Sequence, residues 1–102
     1  MHSFTHDAPS HVLTCTLSGR MDAERSSAFQ VEVDAELARV ADPEIEVVFD
    51  LSKVDYMASP FLRVCLTVLK RLPAGRFRIA QVSPSVQEIL ERSGMDGLMG
   101  GH

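Results

Sequence analysis

The run Val47 to Leu72, VVFDLSKVDYMASPFLRVCLTVLKRL, carries three local instructions in one continuous stretch. Val47, Val48, Phe49 and Leu51 are the β-branched, aromatic and apolar residues of a buried strand. Asp50, Ser52, Lys53 and Asp55 break that run and read as a loop. Ser59-Pro60 then reads as a helix opening, because serine can accept a bond from an orphan N–H and proline at the first helical position gives up nothing. From Phe61 to Leu72 the polar residues Arg63, Thr67, Lys70 and Arg71 share one helical face. The rest of that helix is apolar, which predicts a largely buried element.

Working outward, the N-terminal side predicts a short edge strand over Ser3–His6, a turn at Ala8-Pro9-Ser10 and a strand over Val12–Leu17. In that strand Leu13, Cys15 and Leu17 face one way and Thr14 and Thr16 the other, as expected of an antiparallel position near a sheet edge. Ser18 to Asp22 reads as a turn, with Asp22 placed to cap a helix over Ala23–Val40. Phe29, Val33, Leu37 and Val40 form the apolar stripe of this helix, and Pro43 stops it. On the C-terminal side, Pro73-Ala74-Gly75 is a loop and Arg76–Val82 a strand. Ser83-Pro84 opens a helix that turns Val86, Ile89 and Leu90 inward, and Ser93-Gly94 closes it. Met95 to His102 is a short, glycine-containing tail. Strands alternating with helices imply right-handed crossovers and a mixed, mainly parallel sheet flanked by helices, an α/β fold.

With 102 residues, 45% hydrophobic and 24% charged, the chain has the make-up of one globular domain, residues 1–102 with a core of about 12–98. A net charge of −4 with the two signs interspersed excludes the basic footprint of a nucleic-acid binder or a polybasic anchor. No apolar run approaches the ~20 residues that span a bilayer, and MHSFTHDAPS lacks a secretory h-region. A cytoplasmic protein without membrane insertion is expected. Cys15 and Cys65 sit in apolar patterns and read as core residues rather than a disulfide. His2, His6, His11 and His102 lie near the two ends without a partner at ligand spacing, so no metal or other cofactor is expected. Asp50 and Asp55 flank a helix mouth; they read as carboxylates held by solvent and backbone N–H groups. No phosphate-cradling glycine loop is present, and no histidine lies near Ser59 in sequence, so an enzyme is not expected.

These residues resemble the STAS domain, the fold of anti-sigma factor antagonists. The likeness rests on Asp50, Leu51, Ser52, Val54, Met57, Ser59 and Leu62, then on Ser83, Pro84, Val86, Leu90, Gly94 and Met95. The stretch LSGRMDAERSSAF is similar to the family's segment before its first helix. The resemblance implies a partner-switching regulatory module that binds an anti-sigma factor with serine-kinase character. It places the phosphoacceptor at Ser59 and the partner-binding rim at Asp22, Tyr56, Met57, Ala58, Ser59, Pro60 and Arg63. Three positions depart from the family pattern: Ala58 stands where an aspartate is usual, and Pro60 and Phe61 where a second hydroxyl residue and a glycine are usual. The family's further C-terminal strand and helix are expected to be truncated. An uncovered sheet edge would then invite pairing into a homodimer.

Ser59 keeps a second reading as a plain N-cap, and Phe61 is either an interface anchor or, with Cys65, Leu69 and Leu72, a core residue. Two further classes stand beside partner switching. One is a small-ligand carrier with a pocket lined by the second helix and the adjoining strand, and the other a hydrolase built on Ser59, which requires a histidine in reach of its hydroxyl. Within partner switching itself, a divergent scaffold without the phosphorylation switch is the alternative.

Overall fold

The structure, a computed structural model, describes residues 2–94. The element order is β1 (His2–Asp7), β2 (Val12–Met21), α1 (Ala23–Val40), β3 (Glu46–Met57), α2 (Ser59–Arg71), β4 (Phe77–Val82) and α3 (Pro84–Arg92). The strands form one sheet in the order β1-β2-β3-β4. β1 runs antiparallel to β2, while β2 with β3 and β3 with β4 are parallel. The mixed, mainly parallel sheet expected from the alternation is therefore present. The edge strand at the N-terminus is present too, and β2 pairs antiparallel with it, next to the sheet edge as expected.

Strand alternation explains where the core sits. Leu13, Cys15 and Leu17 of β2, Val47, Phe49 and Leu51 of β3, and Phe77 and Ile79 of β4 are buried on one face. Phe29 and Val33 of α1, Phe61, Val64, Cys65 and Val68 of α2, and Val86 and Leu90 of α3 close over them. Phe49 lies edge-on to Phe29 at 5.4 Å and to Phe77 at 4.8 Å and is tilted against Phe61 at 6.0 Å. Each such pair adds roughly 0.5–1.5 kcal/mol to the burial of the rings. Both cysteines are free and buried, and desolvation pushes both thiols up to about 12. They are small core residues, as expected.

The helix boundaries at Ala23 and Val40 match the expectation, and the helix of α2 is buried along Phe61, Val64, Cys65 and Val68. Leu66, 40% exposed, is the exception on a helix read as apolar apart from its four polar residues. Two corrections concern strand length. Asp50, Ser52, Lys53 and Asp55 belong to β3 and not to a loop, and Ser18 to Met21 belong to β2 and not to a turn. The two tails pair with each other through Ser18↔Lys53, Gly19↔Val54, Arg20↔Tyr56 and Met21↔Met57, with register shifts between Thr16 and Ser18 and between Gly19 and Arg20. β4 pairs only as far as Leu51, so the tail of β3 has one neighbour and its polar residues stay wet. The expected tail Met95–His102, with the motif residue Met95, lies outside the described residues.

Candidate functional site

The carboxyl ends of the parallel strands converge on one edge of the sheet. Met21 and Met57 form the last pair of β2 and β3, and the Ala58 N–H donates to the Met21 carbonyl at 2.9 Å. One residue later each strand opens a helix: Asp22 precedes α1 and Ala58 precedes α2. Ser83 precedes α3 at the same edge, its hydroxyl donating to the Val54 carbonyl at 3.0 Å. Open α/β sheets place their sites at this end of the strands.

The three helix mouths differ. The Asp22 carboxylate accepts the Arg25 N–H at 2.9 Å, and the Ser83 hydroxyl accepts the Val86 N–H at 3.3 Å. Both are the caps expected. Ala58, extended at φ −87° and ψ 163°, has no side chain to offer α2, and no acidic residue lies in the first turn. Ser59 is therefore the first residue of α2 and not its cap, which corrects one of its two readings. The reason is local: the Phe61 N–H is already taken by the Ala58 carbonyl at 2.9 Å, and Pro60 has no N–H. The Ser59 side chain is exposed and makes no hydrogen bond among the described residues. The positive end of the α2 dipole consequently faces solvent beside a free hydroxyl.

Around this mouth the expected rim residues come together, though not all on the surface. Ser59 and Arg63 are exposed and Ala58 and Pro60 half-buried. Asp22 is half-buried and occupied with capping. Tyr56, 36% exposed, lies under the Arg20 guanidinium, whose carbon is 4.0 Å from the ring centre. Met57 is a core residue, 3% exposed, so its side chain supports the rim from below rather than presenting it. Phe61 is wholly buried against Phe29 and Phe49, which removes the interface-anchor reading. Asp50 accepts the Ser52 N–H at 3.0 Å, the backbone partner expected of it.

Sequence reasoning missed Arg20 and Arg25. The register shifts in β2 free two carbonyls, and the Arg25 guanidinium takes both, Ser18 at 2.7 Å and Arg20 at 3.0 Å. Gly19, at φ +82°, permits this: a Cβ there would meet Arg25 Nη1 at 3.3 Å. The glycine was the available signal, but in a Ser-Gly pair it reads as a turn. A shallow groove of about 300 Å³ runs between α1 and α2 beside the mouth, lined in part by Ser27, Gln30, Pro60 and Arg63. No histidine hydrogen-bonds to Ser59 among the described residues. The His2 Nε2 is 2.9 Å from the Glu32 carboxylate and the His11 Nδ1 is 2.6 Å from the Asp42 carboxylate. Among the described residues, therefore, Ser59 has no histidine base of the kind a serine hydrolase requires.

A four-stranded mixed sheet of this order, flanked by three helices, agrees with the family that the sequence motifs resemble. The family model described as Mlab, STAS domain, matches residues 4–100, and the chain belongs to the STAS domain family. It is 40% identical over 72 residues to BtrV of Bordetella bronchiseptica, a proposed anti-sigma factor antagonist. That match covers 68% of this chain and 62% of the relative, so this chain spans less than two thirds of BtrV. The fold is that of the unphosphorylated anti-sigma factor antagonist SpoIIAA, with a TM-score of 0.82 and 17% identity over 97% of this chain and 85% of that one. An anti-sigma factor antagonist from Mycobacterium paratuberculosis superposes with a TM-score of 0.77, at 20% identity over 98% and 84% of the two chains. The phosphorylated form of SpoIIAA, a Bacillus cell fate determinant, gives 0.72 at 16% identity over 97% and 88%. No helix among the described residues is long and apolar enough to cross a membrane.

Proposed function

We propose that this protein is an anti-sigma factor antagonist of the partner-switching kind, a binding module that catalyses nothing and is switched by phosphorylation of Ser59. The observation that carries the reading is the exposed hydroxyl of Ser59 at the uncapped mouth of α2, in a chain of this family related to BtrV. The partner is an anti-sigma factor with serine-kinase activity, docking on the rim formed by Asp22, Tyr56, Ala58, Ser59, Pro60 and Arg63. Transfer of the ATP γ-phosphoryl group to Ser59 Oγ breaks the bond to ADP and gives up the hydroxyl proton to the kinase. It adds about −1.5 to −2 charges at this spot. The α2 dipole tolerates that charge on the free chain, whereas a partner surface built to cover a neutral hydroxyl must desolvate it. Switching then needs no refolding of the sheet.

The test is incubation with ATP and the anti-sigma kinase encoded nearest to this chain, followed by mapping of the modified residue and by binding of Ser59→Asp. Phosphate on Ser59, lost in Ser59→Ala, and weakened association of Ser59→Asp are expected. Phosphate elsewhere or nowhere, or unchanged association, refutes the switch.

A further inference from the structure

We infer that Arg63 is the receptor on this chain for a phosphate carried by Ser59, so that phosphorylation writes an ion pair across the first turn of α2. The inference rests on the reading of Ser59 as phosphoacceptor and adds to it how the modified side chain is held.

Arg63 stands apart from the other arginines. Arg20 covers the Tyr56 ring, and Arg25 binds the Ser18 and Arg20 carbonyls. Arg39 pairs with Glu36, Arg71 with Asp34, Arg78 with Glu46 and Arg92 with Glu88, while Arg76 donates to the Glu44 carbonyl. Arg63 is exposed and, among the described residues, has no ion pair, hydrogen bond or ring partner. Four residues before it on the same helix stands Ser59, also exposed and also without a partner.

Side chains four apart on a helix stack on one face, with Cβ atoms about 5–6 Å apart. The long arginine stem bridges that gap, and its planar fork matches two phosphate oxygens. Two carboxylates on the neighbouring elements are already engaged, and Asp55, exposed on the tail of β3, makes no ion pair with Arg63 among the described residues. Asp34 across the groove holds Gln30 and Arg71, Asp22 holds the Arg25 N–H, and the first turn of α2 contains no acid. Without phosphate, the guanidinium lines the groove between the helices with Gln30, Pro60 and Thr67. With phosphate it turns toward the helix mouth, over Pro60. Modification therefore changes the groove as well as the hydroxyl: the charge that the groove offered to a partner is spent inside the chain.

The experiment installs phosphoserine at position 59 during synthesis, in the full chain and in the full chain with Arg63→Gln, and follows the second phosphate ionisation by ³¹P NMR. The Arg63 chain should titrate roughly half a pH unit below the Arg63→Gln chain, near the usual midpoint of about 6, and 1 M salt should shrink the gap. Coincident midpoints overturn the pairing. The unmodified Arg63→Gln chain serves as the folding control, because Arg63 holds nothing in place. A kinase that never modifies Ser59 would refute the phosphoacceptor reading and leave the titration result standing. Coincident midpoints would refute the pairing and leave the phosphoacceptor reading standing.

Discussion

Replacing Phe61 by alanine separates the two roles this residue had in the sequence. In the structure the ring is wholly buried, 6.2 Å from the Phe29 ring and 6.0 Å from that of Phe49. A phenylalanine side chain buries about 150–250 Å², which at ~25 cal/mol per Å² is an upper bound of roughly 4–6 kcal/mol. Phe→Ala truncations in packed cores cost about 3–5 kcal/mol, cavity included. The lower end is a large part of the ~5–15 kcal/mol that holds a domain together. In urea at 25 °C, with an m-value of roughly 1–2 kcal/mol/M, the midpoint should fall by at least about 1.5 M, read by far-UV circular dichroism. Thermal unfolding should fall by at least about 12 °C. Phe61→Leu keeps most of the buried volume and should lose under about 1.5 kcal/mol, which preserves the test if the alanine chain does not fold. An interface anchor would behave in the opposite way, leaving the free chain's midpoint within about 0.5 M of the parent and weakening only association. That outcome would refute the assignment of Phe61 to the core.

Ser59→Ala should leave stability within about 0.5 kcal/mol of the parent, since the hydroxyl bonds to nothing described; a loss near 1 kcal/mol in urea would make it a cap after all. Asp22→Ala removes the bond to the Arg25 N–H and should lower stability by about 1 kcal/mol, a fall of roughly 4–8 °C in Tm; an unchanged Tm would contradict the cap. The His11–Asp42 contact, 2.6 Å long, makes stability depend on pH at both ends. Hydrogen bonding to Asp42 raises His11 above its ordinary 6.5, so that stabilisation is complete below 6.5 and lost as pH rises through the raised value. The same bond holds Asp42 below its ordinary 3.8, so its part is present above 3.8 and lost as pH falls through the lowered value. His11→Asn should therefore flatten the alkaline side of the Tm-against-pH curve; an identical slope would sink the latch. Cys15 and Cys65, buried with thiols near 12, should react with a thiol reagent at pH 8 only as fast as the chain opens. Immediate labelling of folded protein would place one of them at the surface.

The order of elements was legible because each carries its own period. Alternation marked Val12 to Leu17, a 3.6-residue stripe marked α1, and Ser83-Pro84 marked the start of α3. The tails of β2 and β3 were illegible for a definite reason. Beyond the register shifts the buried residues of β3 are Leu51, Val54 and Met57, spaced by three and not by two. A strand with one neighbour also leaves Ser52, Lys53 and Asp55 exposed, so neither composition nor period says strand. The rim was legible as a region through motif positions, but its depth was not. Met57 and Phe61 point inward, and that follows from where the last ladder pair Met21↔Met57 falls. Arg25 was illegible as a tether because its two acceptors exist only after the bulge has formed.

The three helix mouths together bear on what Ser59 is for. Where this fold needs a cap, it has one in the expected geometry: aspartate before α1, serine before α3, each accepting a backbone N–H. At α2 the capping position is an alanine, and the helix starts by other means. Pro60 removes one orphan donor, and the Phe61 N–H turns back to the Ala58 carbonyl. Capping therefore cannot account for a serine at 59, since its hydroxyl satisfies no backbone group. Packing cannot account for it either, because the side chain stands in solvent. That leaves the Ser59 hydroxyl open to solvent at the positive end of α2, one turn from Arg63, which pairs with nothing described.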